Sequence, residues 1–435
     1  MPLSVKSIMK IGLQTWGSDG DIRPFLALSG GLSKAGHEVT LVITSADNKN
    51  YSSYANEMGF AIIHAGELQY DEKEIKYIAK KIVNAMTPVG QMKSLIKYLF
   101  NPLIDIMFQS ARKLCIENDL VIGHFLHYPM HIAAEEAKKP YATLTLNHSG
   151  ISSRYSRIYG VPNLGIRMNP IWWKLFNFLV SRVLIPEANE LRKIQNLPPI
   201  KNIIDKMLTS TSLNLIAVSA AICQRQKDWP QYQQICGFLN MPDYAEKWTI
   251  PKDLKNFIEA GLPPVFITLG SMISLEVSPH KITELLVEGA LIAGCRAIVQ
   301  SNWEQLHDFP DYPEIYKIGR IPHQHIFPYC QAVVHHGGAG TTHSATRYGC
   351  PSVIIEHFAD QGFFGNELRL LGIAPRLLHR KSVTKKKLAR EIKTVLTSPE
   401  MKKKAQALSA IMQKENGVQK AVELLEDRFI KKSLQ

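Results

Sequence analysis

The chain alternates short apolar runs with helix-like stretches twice over, and a proline-rich break separates the two series. The first series has strand-like runs at residues 8–13, 39–44, 60–64, 120–123, 141–146 and 213–218. Helix-like stretches fall at 21–35, closed by Gly36, and near 50–58. Strands alternating with helices predict a parallel, doubly wound sheet with helices on both faces. Residues 238–264 hold Pro242, Pro251, Pro263 and Pro264 among turn formers, the composition of a linker. A second set of strand-like runs follows at 265–269, 297–300, 315–318, 332–335 and 353–356. Two amphipathic helices are expected at 384–397 and 399–425. A chain of 435 residues exceeds what one core usually spans. The expected division is an N-terminal α/β domain at 1–240, a linker at 241–264 and a C-terminal α/β domain at 265–435. In open α/β sheets ligands bind at the carboxyl ends of the strands, so the two sheets are expected to face one central cleft.

Strand run 332–335 leads into His335-His336-Gly337-Gly338-Ala339-Gly340-Thr341-Thr342. That order predicts strand, glycine turn and helix N-terminus. Glycine lets backbone approach a ligand closely. The helix start offers unpaired N–H groups and a positive dipole end, which suit a phosphate. Thr341 and Thr342 add hydroxyl donors. His336 is either a packed histidine or a donor that steadies a diphosphate. His335, one residue earlier, points to the opposite face and is expected to be structural. Ser271, after Gly270 at the end of run 265–269, is either an ordinary turn residue or a further diphosphate donor. Asp360 and Gln361 follow the next strand run and offer the acceptor and donor mixture that vicinal hydroxyls need. A pyrophosphate cradle with a carboxylate and an amide beyond the next strand points to a nucleotide-sugar site. No GxGxxG follows the first strand, so a nicotinamide cofactor is disfavoured.

The first turn, residues 12–24, is glycine-punctuated and carries two carboxylates, Asp19 and Asp21. Asp21 sits where the helix starts and is either an N-cap or a general base, with Asp19 its competitor. His124, His127 and His131 follow strand run 120–123. Their spacing resembles a metal cluster, but no acidic second shell is evident, and a loop lining an acceptor cleft is favoured. His323-Gln324-His325 is expected in the loop that holds the nucleotide base. The run 171–180, with Trp172 and Trp173, is either core, acceptor pocket or a membrane-facing surface.

The formal charge is +13, partly in Lys385-Lys386-Lys387 and Lys402-Lys403-Lys404. These are either solvated helix faces or a weak attraction to anionic membrane. No basic–aromatic motif accompanies them, so nucleic acid is not expected as a partner. The six cysteines form no CxxC pair or compact framework, which fits a reducing compartment. Run 171–184 is interrupted by Lys174 and Arg182 and is too short to span a bilayer. A cytoplasmic location is expected, with room for peripheral contact at the inner membrane face.

Three blocks resemble the GT-B glycosyltransferases that use nucleotide-diphosphate sugars (UDP-glycosyltransferase family 1). They are nearest in look to sterol glucosyltransferases and to bacterial polyketide, glycopeptide and rhamnolipid transferases. Gly17-Ser18-Asp19-Gly20-Asp21-Ile22-Arg23-Pro24-Phe25 with Gly36-His37-Glu38-Val39 resembles the N-terminal signature. Ile321-Pro322-His323 with Phe327 resembles the start of the donor motif. His335 to Thr342, Pro351 and Asp360-Gln361 resemble the rest. The resemblance implies Asp21 as catalytic base, His336 with Gly338, Gly340 and Thr341 on the diphosphate, and Asp360 and Gln361 on the sugar. Where plant-type relatives stack a tryptophan on the base, this chain has Arg320 beside Ile321, which leaves UDP and dTDP both open. The implied activity is inverting transfer of a hexose, glucose from UDP-glucose first, to a hydroxyl of a lipophilic acceptor, with no metal or further cofactor. The alternatives are a UDP-sugar 2-epimerase and a non-catalytic sugar-nucleotide-binding auxiliary protein.

Overall fold

A computed structural model describes residues 8–46, 48–85, 87–162, 164–242, 248–270, 279–303, 309–357 and 361–430. The chain forms two compact units. Unit 1 comprises Met1–Tyr70, Met92–Ala245 and Glu415–Gln435, and unit 2 comprises Asp71–Gln91 and Glu246–Lys414.

Unit 1 is built on seven parallel strands: β1 (Lys10–Gly17), β2 (Glu38–Ser45), β3 (Ala61–His64), β4 (Leu120–His124), β5 (Tyr141–Thr145), β6 (Asn214–Ile216) and β7 (Gln233–Ile235). Their order is β3-β2-β1-β4-β5-β6-β7, so the winding reverses between β1 and β4. β4 and β5 are buried along their whole length, as strands covered on both faces must be. Alternate β1 side chains serve two cores. Ile11 and Leu13 pack with Ile22, Phe25 and Leu26 of α1 (Asp19–Lys34). Trp16 packs on the other face with Phe100, Met107 and Tyr128. Gly12 is interior to β1 and leaves room for Leu114, whose Cδ2 would lie 2.9 Å from a Cβ there. The strand runs on to Gly17, so the expected long first turn shrinks to Ser18. The remaining helices before β6 are α2 (Ser52–Met58), α3 (Glu72–Asn84), α4 (Pro88–Leu95), α5 (Ile104–Glu117), α6 (Tyr128–Glu136) and α7 (Asn169–Ile194), of which α3 and the start of α4 fall in unit 2.

Unit 2 has six parallel strands: β8 (Val265–Thr268), β9 (Ala297–Gln300), β10 (Ile315–Ile318), β11 (Ala332–His335), β12 (Ser352–Glu356) and β13 (Leu378–His379). The order is β10-β9-β8-β11-β12-β13, with the reversal between β8 and β11. Its helices are α8 (Lys252–Glu259), α9 (Pro279–Ala293), α10 (Ala339–Arg347), α11 (Gln361–Leu370), α12 (Lys385–Leu396) and α13 (Pro399–Met412).

The expected domain borders differ from this division at both ends. Residues 251–259 are not linker: Leu254 of α8 is fully buried with Phe266 and Phe327 in a core of unit 2. The long C-terminal helix breaks at residues 413–416, where Asn416 caps α14 (Gly417–Phe429) by accepting from Gln419 N at 3.1 Å. α14 then joins unit 1. Its Ala421, Val422 and Leu425 are buried in the α1 core, and Glu426 Oε1 meets His37 Nε2 at 3.1 Å. Glu415 Oε1 accepts from Ser219 Oγ at 3.0 Å.

Candidate functional site

In unit 1 the reversal point is occupied by the β1–α1 turn and the end of β4. Ser18 is the N-cap of α1, which puts Asp21 at the third helical position. Asp21 Oδ2 accepts from Ser18 N at 2.9 Å and from Ser18 Oγ at 3.2 Å. This is the reciprocal half of a capping box. Gly17 makes room for it: φ is +123°, and a Cβ there would lie 2.4 Å from Asp21 Oδ2. Asp21 Oδ1 is 3.6 Å from His124 Nε2, and the Asp21 side chain is 37% exposed against 2% for His124. His124 Nδ1 accepts from Leu126 N at 3.3 Å, which leaves the ring proton on Nε2, facing the carboxylate. One Asp21 oxygen is thus tied to backbone. The other is open to solvent and backed by a buried imidazole.

Asp19 is placed differently. Its Oδ1 accepts from Tyr51 Oη at 2.8 Å and its Oδ2 meets Lys49 Nζ at 3.2 Å. A carboxylate holding a phenol and an ammonium is the poorer base of the two. His124 and His127 do not line a loop surface as expected. Both are buried, because the segment after β4 turns at once into α6. His127 caps α6 by accepting from Met130 N at 3.2 Å, and burial pushes its imidazole down to about 3, so it stays neutral. Trp173 is also buried. Its Nε1 donates to Ser156 O at 3.1 Å, and its ring packs edge-on against Phe176. Trp172 beside it is half-buried.

In unit 2 the reversal point holds the ends of β8 and β11. Gly338 is the N-cap of α10, so the N–H groups of Ala339, Gly340 and Thr341 have no acceptor within the helix. Thr342 is already committed: its N donates to Gly338 O at 3.0 Å and its side chain is fully buried, so it adds no outward donor. Thr341 is nearly buried and Gly340 exposed. The His336 imidazole is wedged between two glycines. A Cβ on Gly338 would lie 2.4 Å from its Nε2, and one on Gly270 would lie 2.9 Å from its Cε1. Burial, then His357 and His323 nearby, push His336 down to about 3. It is therefore a neutral hydrogen-bond donor at physiological pH. His335 is fully buried and accepts from Gly337 N at 3.1 Å, a packing role.

Gln361, first in α11, is drawn to the same place. Its carbonyl lies where a Cβ on Gly337 would be (2.6 Å), and Gly337 has φ +90°. Its side-chain Oε1 accepts from His357 N at 2.8 Å. Ser271 and Asp360 lie outside the described residues. His323 stacks on Phe327 with ring centroids 4.5 Å apart, and its charge field reaches both His335 and His336. The expected base-binding segment and the glycine turn are therefore neighbours. Ile321 is a core residue packed with Ile326 and Phe327, so its side chain does not meet a ligand; Arg320 is exposed just after β10. Among the described residues no three His, Cys, Asp or Glu side chains converge as a metal site. All six cysteines are buried free thiols, and burial pushes Cys115, Cys236 and Cys350 up to about 12.

Residues 290–427 match the family model of the erythromycin biosynthesis protein CIII-like C-terminal domain. The chain is 28% identical over 432 residues to the sterol 3-beta-glucosyltransferase of Aspergillus oryzae, covering 96% of this chain and 30% of that protein. It is 28% identical over 440 residues to a sterol 3-beta-glucosyltransferase of Arabidopsis thaliana, covering 95% and 67%. The chain thus spans about a third of the fungal relative and about two thirds of the plant one. Among solved structures it superposes on the glycotransferase of kitacinnamycin with a TM-score of 0.70 at 17% identity, covering 97% and 99% of the two chains. The glycosyltransferase VinC in complex with dTDP gives a TM-score of 0.64 at 18% identity, covering 97% and 100%. Both sheets belong to this shared fold.

Proposed function

We propose that this chain, a UDP-glycosyltransferase family 1-like protein of the GT-B fold, transfers a hexose from a nucleotide-diphosphate sugar to a hydroxyl of a lipophilic acceptor. The observation that carries the reading is the pair of reversal-point sites, one holding an accessible, backbone-tied carboxylate and the other a neutral histidine beside a glycine turn and helix N-terminus. The sterol acceptor that the curated relatives' names state supports a lipophilic acceptor here. UDP-glucose is the donor proposed first, with dTDP-sugars next, since Arg320 replaces the stacking tryptophan of plant-type relatives.

In the proposed step the acceptor oxygen attacks the anomeric carbon as its C–O bond to the diphosphate breaks, inverting that centre. The hydroxyl proton passes to Asp21 Oδ1. His124 Nε2–H faces that oxygen and orients the carboxylate. The leaving diphosphate takes the negative charge and is met by His336, the N–H groups of Ala339, Gly340 and Thr341, and the positive end of α10. With those donors the step as drawn needs no metal ion. Asp360 and Gln361 are assigned to the sugar hydroxyls. Peripheral contact with an anionic membrane would bring a lipid-borne acceptor within reach.

The test is mass spectrometry of a panel of sterols, hydroxy fatty acids and macrolides incubated with UDP-glucose or dTDP-glucose. Wild type is expected to add a hexose mass. Asp21→Asn is expected to lose the product by about a hundredfold or more while still binding the donor, and His124→Ala to lose less. Donor turnover to a free sugar without any acceptor would replace this reading with epimerisation or hydrolysis. Donor binding with no turnover on any acceptor would favour the auxiliary protein.

A further inference from the structure

The first three turns of α7 are apolar on the side turned away from the core. Trp173, Val180 and Leu184 are buried on one side of the helix. Ile171, Leu175, Phe178 and Leu179 recur at the spacing of the opposite face and are 55%, 45%, 57% and 39% exposed. A surface helix ordinarily carries polar residues there. The turn entering α7 continues the patch. Leu164, Ile166 and Met168 are exposed too, and Met168 N and Asn169 N both donate to Gly165 O at 3.0 Å, which fastens that turn to the helix. Seven of the twenty exposed large apolar side chains among the described residues therefore fall within residues 164–179. Apolar exposure concentrated in this way marks an interaction surface, unlike side chains scattered singly.

Along the sequence around the patch the charge has one sign, and of its basic side chains Arg154 meets Asp228 Oδ2 at 4.0 Å. From Gly150 to Pro186 the sequence holds Arg154, Arg157, Arg167, Lys174 and Arg182 and no carboxylate. Lys174 and Arg182 share the helix face of the exposed apolar residues, and the Arg182 guanidinium lies 5.5 Å from the Phe178 ring centroid. The lysine clusters elsewhere have local partners: Lys385 pairs with Glu288 at 2.6 Å, Lys404 with Glu400 at 2.7 Å, and Lys387 Nζ donates to Ser382 O at 2.8 Å. Two copies of the α7 face brought together would oppose like charges, which disfavours self-association there.

We propose that this face of α7, with the turn before it, docks flat on an anionic lipid surface. Its apolar side chains enter the acyl boundary, while Lys174 and Arg182 reach the headgroup phosphates with their stems along the same boundary. No helix among the described residues is long and apolar enough to cross a membrane, so the contact is peripheral. The inference deepens the proposed function and rests on it for its purpose: α7 belongs to unit 1, which carries Asp21, and a lipophilic acceptor resides in membrane.

The experiment is flotation of the full chain with vesicles of phosphatidylcholine alone or mixed with phosphatidylglycerol, without sugar nucleotide. Wild type is expected to float with the anionic vesicles and to be released by salt. The pairs Leu175→Ser with Phe178→Ser, and Lys174→Glu with Arg182→Glu, are each expected to lower the bound fraction by about tenfold or more. All four side chains are exposed or at the surface, and circular dichroism checks that the fold is kept. Flotation equal in wild type and both variants, or absent in wild type, overturns the inference. A dimer seen by light scattering that Phe178→Ser dissolves, with no flotation, overturns it in favour of a second copy. Transfer to a detergent-dispersed acceptor is read separately. Flotation without transfer refutes the function proposed above and leaves the docking face standing; transfer without flotation does the reverse.

Discussion

Gly270 and Gly338 are needed for a neighbour's sake. Each leaves empty the volume that the His336 ring fills, at 2.9 Å and 2.4 Å from where a Cβ would stand. Gly338→Ala is therefore expected to rotate His336 away and to cost about tenfold or more in sugar-nucleotide affinity, the loss of roughly one good hydrogen bond to a charged group. Gly340→Ala is the control, because a Cβ there meets nothing within 4 Å. Isothermal titration with UDP on both variants checks this, and equal loss in the two would show that His336 is not the group displaced. The glycine turn was legible in the sequence because its residue types have few other uses. The difference between Asp19 and Asp21 was not, because Asp19 is engaged by Lys49 and Tyr51, which sit some thirty positions away and meet it only in the fold. His124 and His127 were legible as a group with a purpose but not as to which. A histidine at or just past a strand end reads the same whether it caps a helix or backs a carboxylate.

At the scale of elements, the seam between α1 and α14 is set by a missing side chain. A Cβ on Gly31 would lie 2.2 Å from Val418 Cγ1. Gly31→Ala gains helix propensity but overpacks the seam, and the net expected effect is a loss of about 1–3 kcal/mol. Adding Val418→Ala should return most of it. Urea unfolding of the two single variants and the double variant measures the coupling, and additive effects would mean that the two helices do not meet there. The strands of both sheets were legible because a strand buried on both faces reads as an unbroken apolar run. β7 and β13 were not: the first is Gln-Gln-Ile and the second two residues long, and both are recruited by the sheets beside them. The partner of α14 was illegible for a different reason. An amphipathic helix states that it has an apolar face but not which unit will cover it.

For the molecule as a whole, acid should be the weak side. Burial holds His127 and His336 at about 3 and His343 at about 4, and His335 well below its ordinary value. Each stays neutral in the folded chain and takes up a proton on unfolding once the pH falls below the ordinary histidine value near 6.5. The unfolded state then binds more protons, so stability is fully present above pH ~6.5 and falls as pH drops, by up to about 1.4 kcal/mol per pH unit for each such histidine. The melting temperature is expected to be flat from pH 7 to 8 and to fall steeply between pH 6 and 4. A profile level through that range would show that these histidines are accessible to protons in the folded state.

The return of residues 417–429 to the first core also governs the order of events during synthesis. Chains are made from the N-terminus, and domains generally fold as they emerge. Here residues 246–414 leave the ribosome before α14 exists, so they can complete their sheet while the part of α1 that α14 covers is still open. The unit that is begun first is the one that is finished last.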